Sequence, residues 1–407
     1  MLRLPTENTS DREENIMAEW SKTQLSDILV DKGYIRGPFG SALKRGDMKD
    51  NGVPVYEQQH AIYDSRCFRY YIDEQKFVEM KRFQVNTDDL IISCSGTVGK
   101  VSIIRDDDPK GIISQALLLL RVDKNKILPL YLKYFFSSRD GYNAIVSRSS
   151  GSVQVNIAKR DVIEQIPLML PKIETQRKIV GVLNSIDKKI EENERINNNL
   201  EQQAQAIYQQ MFIDNARSNW AEGTLSDIAD ITMGQSPSGS SYNEDGTGTI
   251  FFQGRAEFGF RFPSVRLYTT EPKRMARSND TLMSVRAPVG DLNVAHTDCC
   301  IGRGLAAIHS KNNHQSFVLY TMFSLKKQLD VFNGEGTVFG SINRNSLNEM
   351  PILIPSSEKL DEFEALVSPM DAAIRNNYDE ICRLEQLRDS LLPQLMSGEL
   401  DVSDIDI

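Results

Sequence analysis

The sequence predicts an α+β protein of two tandem globular domains, each followed by a long α-helix, the two helices pairing as an antiparallel coiled coil. Three observations predict it: an internal repeat with a period near half of the 407 residues, a proline-bounded strand that closes each repeat, and a long stripe of apolar residues behind that strand.

The repeat comes first because it governs every other assignment. Leu25-Ser26-Asp27-Ile28 recurs at Leu225-Ser226-Asp227-Ile228, 200 residues on. Asp89 to Gly99 matches Asp280 to Gly290 at 191 residues. Ile166-Pro167 to Pro171 matches Met350-Pro351 to Pro355, and Ile186-Asp187 matches Met370-Asp371, both at 184. Insertions confined to the globular parts account for the drift. Each unit reads as a tryptophan, a short helix, several short strands punctuated by Gly, Pro and Asn, the I-P-x-x-x-P type exit strand, and a long helix.

The first helix is expected from about Glu174 to Phe212, with pairing positions Ile179, Leu183, Ile186, Ile190, Leu200 and Ile207. The second is expected from about Glu358 to Met396, with Phe363, Val367, Met370, Ile374, Ile381, Leu384 and Leu391. Spacings of three and four are those of a coiled-coil seam, and roughly 40 residues at 1.5 Å rise make rods of about 60 Å. A rod with one apolar stripe needs a partner. The matched register favours the other copy over an unrelated protein, and antiparallel pairing would relate the domains by a pseudo-two-fold axis. The divisions are a polar leader, 1–17, expected to be disordered; domain 1, 18–171; helix 1, 172–214; domain 2, 218–355; helix 2, 356–398; and an acidic tail, 399–407.

Composition bounds the function. Hydrophobic residues make up 40% and charged residues 25%, ordinary for a soluble globular protein. No stretch approaches the roughly 18–20 apolar residues of a membrane span, and the start is polar, so a cytoplasmic location is expected. The five cysteines include no C-x-x-C pair and read as reduced structural thiols. The net charge of -9 argues at first against nucleic acid. It is unevenly spread, however: between Trp20 and Pro171 about 22 Lys and Arg face about 18 Asp and Glu, a local charge of about +4.

Enzyme motifs are missing. Gly96-Thr97-Val98-Gly99-Lys100 resembles a phosphate loop, but Val101 stands where Ser or Thr is needed, and the repeat partner ends in Asp291. A strand-turn-strand role is expected instead. Glu74-Gln75-Lys76 matches the short E-x-K of nucleases, without a counterpart in the second unit. The four histidines have no metal-binding spacing, and no N-P-P-aromatic run of an amino-methyltransferase is present. No catalytic residue, metal site or cofactor is expected in this chain.

From about Trp20 to Val402 the organisation resembles the specificity (S) subunits of type I restriction-modification systems. The residues that carry the resemblance are Gly37-Pro38-Phe39-Gly40-Ser41 followed by Gly52-Val53-Pro54-Val55, Gly234-Gln235-Ser236-Pro237-Ser238, the two exit strands, and the paired helices, the second ending Leu391-Leu392-Pro393-Gln394-Leu395-Met396-Ser397-Gly398-Glu399-Leu400. The resemblance implies two target-recognition domains reading a two-part double-stranded DNA site, with the helices setting the gap. It also implies two methyltransferase (M) subunits using S-adenosylmethionine and two restriction (R) subunits using ATP and Mg. Those cofactors would belong to the partners.

Within such domains, polar and basic residues on glycine-rich loops are the expected DNA-binding residues, because base edges need donors and acceptors and phosphates need charge. In the first domain these are Ser41, Lys44, Arg45, Gln59, His60, Arg148 and Gln154; in the second they are Gln235, Ser238, Gln253, Arg255, Arg286, Arg303 and Arg344. A stand-alone DNA-binding regulator and a coiled-coil assembly scaffold remain as alternatives.

Overall fold

The computed structural model describes residues 20–149, 155–216, 220–334, 340–403 and 405, with Ser41 by its backbone only. The leader 1–17, Gln154 and the tail residues Asp404 and Asp406 lie outside the described residues. The chain divides into two compact units, one of residues 1–189 with 383–407, the other of 190–382. Each unit therefore holds one globular domain and half of each long helix.

In the first unit the strand Ser21–Gln24 pairs antiparallel with Pro167–Leu170, closing the domain's beginning onto its exit. A four-stranded sheet runs in the order Leu29–Arg36, Leu117–Val122, Leu90–Ser93, Val101–Ile103. A three-stranded sheet has Val53–Tyr56 between Tyr71–Ile72 and Ile112–Ile113. The two central strands of the larger sheet are continuously apolar because both their faces are covered. Successive side chains of a strand point to opposite faces. Thus Leu90, Ile92, Leu118 and Leu120 enter the core beneath the helices, while Ile91, Leu117 and Leu119 enter a second core towards the smaller sheet.

The second unit repeats this plan. Ala221–Thr224 pairs with Pro351–Ile354. The four-stranded sheet runs Ala229–Met233, Leu305–Ser310, Thr281–Ser284, Leu292–Val294, and a five-stranded sheet includes Thr249–Phe252 and Cys299–Ile301 side by side. Met283, Ala306 and Ile308 face the helical core, and Leu282, Leu305 and Ala307 face the other.

The long helices run over Ile173–Tyr208, extended by a wider turn through Gln209–Asp214, and over Ser357–Ser397. They pair antiparallel within each unit. In the first, Ile179 and Leu183 share a core with Leu392 and Leu395 and with Tyr131 and Phe136 of a short helix, Pro129–Ser137. In the second, Ala204, Tyr208 and Phe212 share a core with Phe363, Val367 and Ile374 and with Phe317 and Tyr320 of the helix Gln315–Ser324. Each seam is thus also a wall of a domain core.

The repeated Asp187 and Asp371 serve this docking. Tyr134 donates its hydroxyl proton to Asp187 at 2.7 Å, and Tyr320 to Asp371 at 2.9 Å. Each domain thereby holds its long helix by a tyrosine on its short helix.

In the middle of the seam amides join the apolar stripe. Leu200 and Ile207 are only partly buried beside it, and Ile381 and Leu384 are half-buried. Beside the buried Ile190, Asn193 and Asn197 also point inward, 1% and 3% exposed. Asn193 donates to Glu380 at 2.9 Å, and Asn377 donates to Asn197 at 2.9 Å. An amide pair inside an apolar seam penalises sliding by a turn, since a shifted register leaves the amides unpaired. Within the acidic tail, Val402 is 3% exposed and enters the first unit's core.

Candidate nucleic-acid interface

Four strand ends meet at one place in each domain. In domain 1 they are Arg36 ending Leu29–Arg36, Glu57 and Gln58 after Val53–Tyr56, Cys94 and Ser95 after Leu90–Ser93, and Ser114 to Ala116 before Leu117–Val122. They surround a cleft of about 520 Å³ that Phe39, Arg69 and Asn156 complete. Tight backbone contacts build it. Gly37 donates to Leu117 O at 2.9 Å, and a Cβ there would lie 1.9 Å from Ser114 O, so only glycine fits. Gln58 holds both polar atoms of the Ser95 backbone, donating to its oxygen and accepting from its N–H at 3.1 Å. Ser95 in turn donates to Asn156 at 2.8 Å. Phe39 is 61% exposed at the rim, with the Arg36 guanidinium over its ring at 5.8 Å.

Domain 2 forms the same frame. Gly234 donates to Leu305 O at 2.9 Å, and a Cβ there would lie 2.2 Å from Gly302 O. Cys94 N–H to Ala116 O becomes Val285 N–H to Gly304 O, both 2.9 Å, and Ser114 N–H to Tyr56 O becomes Gly302 N–H to Phe252 O, both 2.8 Å. The bridge between Ser95 and Asn156 becomes one between Arg286 and Ser341. These bonds equate positions residue by residue. Phe39 corresponds to Ser236, Glu57 to Gln253, Gln58 to Gly254, Ser95 to Arg286, Gln115 to Arg303, and Asn156 to Ser341. The frame is kept while the side chains at its mouth change.

The sequence-derived residues divide accordingly. Gln235, Gln253, Arg286 and Arg303 come together at this mouth and are exposed. Arg255 lies next to it, ion-paired to Asp291 at 2.6 Å. Ser238 bonds to Ser240 further along its loop, and Arg344 is exposed at the start of the helix Arg344–Asn348. In domain 1 the gathering is poorer. Lys44 and Arg45 are exposed on a turn capped by Asp47 and do not line the cleft. Gln59 donates to Cys67 O at 3.2 Å, and Arg148 donates to Ala144 O at 2.7 Å, capping its own helix. The side chain of Ser41 and all of Gln154 lie outside the described residues.

His60 is a correction. It is fully buried, Nδ1 accepts from the Glu57 N–H at 2.7 Å, Nε2 lies 3.1 Å from Cys67 O, and burial lowers its proton affinity, so it is a core residue and cannot reach a base. Phe39, Gln58, Ser95, Gln115 and Asn156 were missed by sequence reasoning. Aligning the repeats at their glycine contacts would have found them, since each is the counterpart of a domain 2 loop residue.

The remaining motifs are structural. Gly96 to Lys100 is the turn between two strands, with Gly99 at φ +85° and its counterpart Gly290 at φ +83°. Glu74 and Lys76 lie on a short surface helix in ion pairs with Lys110 and Asp47. Burial pushes the Cys94 and Cys299 thiols up to about 12, which suppresses thiolate reactivity. No helix among the described residues is long and apolar enough to cross a membrane.

Two modules that share a backbone frame, differ at the loop mouth and are carried on paired helices define a tandem recognition protein. Residues 17–202 and 217–385 match the family described as the type I restriction modification DNA specificity domain, and the chain belongs to that family. A putative type I restriction enzyme MjaX specificity subunit from Methanocaldococcus jannaschii is 28% identical over 95% of each chain. The type I restriction enzyme HindI specificity subunit of Haemophilus influenzae is 21% identical, over 74% of this chain and 84% of the relative. The crystal structure of the type I restriction-modification S subunit from M. genitalium shares the fold, with a TM-score of 0.59 at 16% identity over 97% of this chain and 98% of the other.

Proposed function

We propose that this chain is the non-catalytic specificity subunit of a type I restriction-modification complex, acting in the cytoplasm on double-stranded DNA. It reads a bipartite target, one half-site per domain, and recruits two methyltransferase and two restriction subunits. S-adenosylmethionine, ATP and Mg belong to those partners.

One observation carries this reading: both domains hold the same backbone frame at their strand ends but place different side chains there, Ser95, Gln115 and Asn156 against Arg286, Arg303 and Ser341. A repeated frame with divergent loops suits two half-sites of different sequence, because the frame fixes the approach to the duplex and the side chains select the bases. A rigid helical pair holds an interval between half-sites that a flexible linker would blur.

The test is methylation mapping. The chain is co-expressed with its adenine methyltransferase subunit and the host DNA is sequenced for modified adenines. A two-part motif with a fixed gap is expected, and exchanging residues 218–355 for the corresponding domain of a relative should change one half alone. Methylation that is the same with and without the chain would overturn the reading in favour of a regulator or scaffold.

A further inference from the structure

We propose that Arg286 and Arg303 read guanine in the half-site of the second domain. This rests on the DNA-specificity reading and goes beyond it by naming a base and the side chains that select it.

The placement follows from strand register. Ser284 pairs with Leu305 in the ladder, and Val285 N–H donates to Gly304 O at 2.9 Å just beyond it. Beyond that bond Arg286 bridges to Ser341, and Arg303 sits in the turn closed by Leu305 N–H donating to Gly302 O at 3.0 Å, so both arginines stand at the end of the same pair of strands. Both side chains are exposed, and neither has an ion pair or hydrogen bond among the described residues. Three arginines of this domain are engaged by acids, Arg255 by Asp291 at 2.6 Å, Arg261 by Asp371 at 3.0 Å and Arg266 by Glu257 at 2.9 Å, whereas Arg274, Arg277 and Arg344 share the lack of an acid partner among the described residues but lie away from this mouth. Like charges held at neighbouring strand ends repel each other. The frame does not require them, since the same positions in domain 1 carry Ser95 and Gln115. Two uncompensated guanidinium groups at the strand-end mouth are therefore placed for a ligand.

Their chemistry narrows that ligand. A guanidinium has donors and no acceptor, so it pairs with an edge presenting two acceptors. In the major groove that edge is guanine O6 and N7, whereas adenine and cytosine present an amino donor. The loop is also held in place. A Cβ on Gly302 or Gly304, the residues flanking Arg303, would lie 2.8 or 2.9 Å from Gln253 O, so the chain there lies against its neighbour. Packing of this kind preorganises the arginine and lowers the entropy lost on binding.

Phosphate is the other source of paired acceptors, and methylation mapping separates the two. In the co-expression system above, the half-site that changes when domain 2 is exchanged should contain a G·C pair. The double variant Arg286→Ser with Arg303→Gln carries the first domain's residues. It should relax that position by about five- to 140-fold, the 1–3 kcal/mol typical of a bidentate pair at 1.4 kcal/mol per tenfold. The other half should stay intact. If the double variant methylates nothing, the single variant Arg303→Gln decides in the same way, with persistence of the first half-site showing that the complex still assembles. A second half-site without guanine would overturn the proposal. So would a variant that lowers methylation at every site equally with the motif unchanged, the signature of a phosphate contact. Failure of the specificity reading looks different: wild type would then give no chain-dependent bipartite motif.

Discussion

Replacing Arg261 by methionine should destabilise the second unit selectively, by about 3 kcal/mol. Arg261 comes from a domain 2 loop, and its side chain is 4% exposed. It reaches Glu201 on the first long helix and Asp371 on the second, at 3.0 Å each, and donates to the Tyr320 hydroxyl at 3.1 Å. One cation thus ties a domain to both helices. Removing one partner of a buried ion pair costs about 3–5 kcal/mol, because the remaining charges stay buried without compensation. Here Glu201 and Asp371 are 17% and 22% exposed, so water relieves part of the penalty and the lower end applies. For a unit of this size 1 kcal/mol moves the melting temperature by about 2–4 °C, giving a fall of about 6–12 °C. Trp20 and Trp220 are the two tryptophans, one per unit. Fluorescence-detected melting in a Trp20→Phe background therefore reports the second unit through Trp220, which packs against its core. Adding Glu201→Gln and Asp371→Asn to Arg261→Met should recover part of the loss. A fall below about 2 °C, or the same fall reported by Trp20 in a Trp220→Phe background, would refute the reasoning.

Three further outcomes are expected. Burial holds the Glu201 carboxyl above the ordinary carboxylate range, with Arg261 opposing, so the folded state retains its proton longer than the unfolded chain. The group's contribution is present below the unfolded value and lost as pH rises through the folded one; chemical denaturation of Glu201→Gln against wild type should show the variant gaining relative stability as pH rises above about 4.3, the ordinary glutamate value. The double substitution Asn197→Leu with Asn377→Leu removes both partners of a buried amide pair and should raise stability by about 1 kcal/mol while loosening helix register, read as new cross-links between cysteines introduced along the seam. Phe39→Ala should leave melting within about 1 °C of wild type, because the ring is 61% exposed, yet weaken binding to DNA carrying the first half-site; unchanged binding would remove Phe39 from the interface.

What the sequence determined by itself is what repeats or has a period. Matching Leu25–Ile28 with Leu225–Ile228, and Ile186-Asp187 with Met370-Asp371, gave two modules and two helices, and the proline-bounded exit strands fell where expected. These features are local, set by residues within a few turns or one strand of each other. The helix ends also agreed, since an apolar stripe stops where its core stops. Tertiary structure decided the rest. An apolar pattern cannot show that Asn193 and Asn197 occupy the seam, because a polar residue is buried only when a partner such as Glu380 or Asn377 arrives from the other helix. The same limit governs the interface. Arg286 and Arg303 reach one mouth because two strands pair in register up to Ser284 and Leu305, and His60 is withdrawn because the Glu57 N–H and the Cys67 carbonyl take up its ring nitrogens. A site assembled from four strand ends, with Gln235, Gln253, Arg286 and Arg303 separated in turn by 18, 33 and 17 residues, has no sequence period to reveal it. Only the folded backbone brings those ends to one mouth.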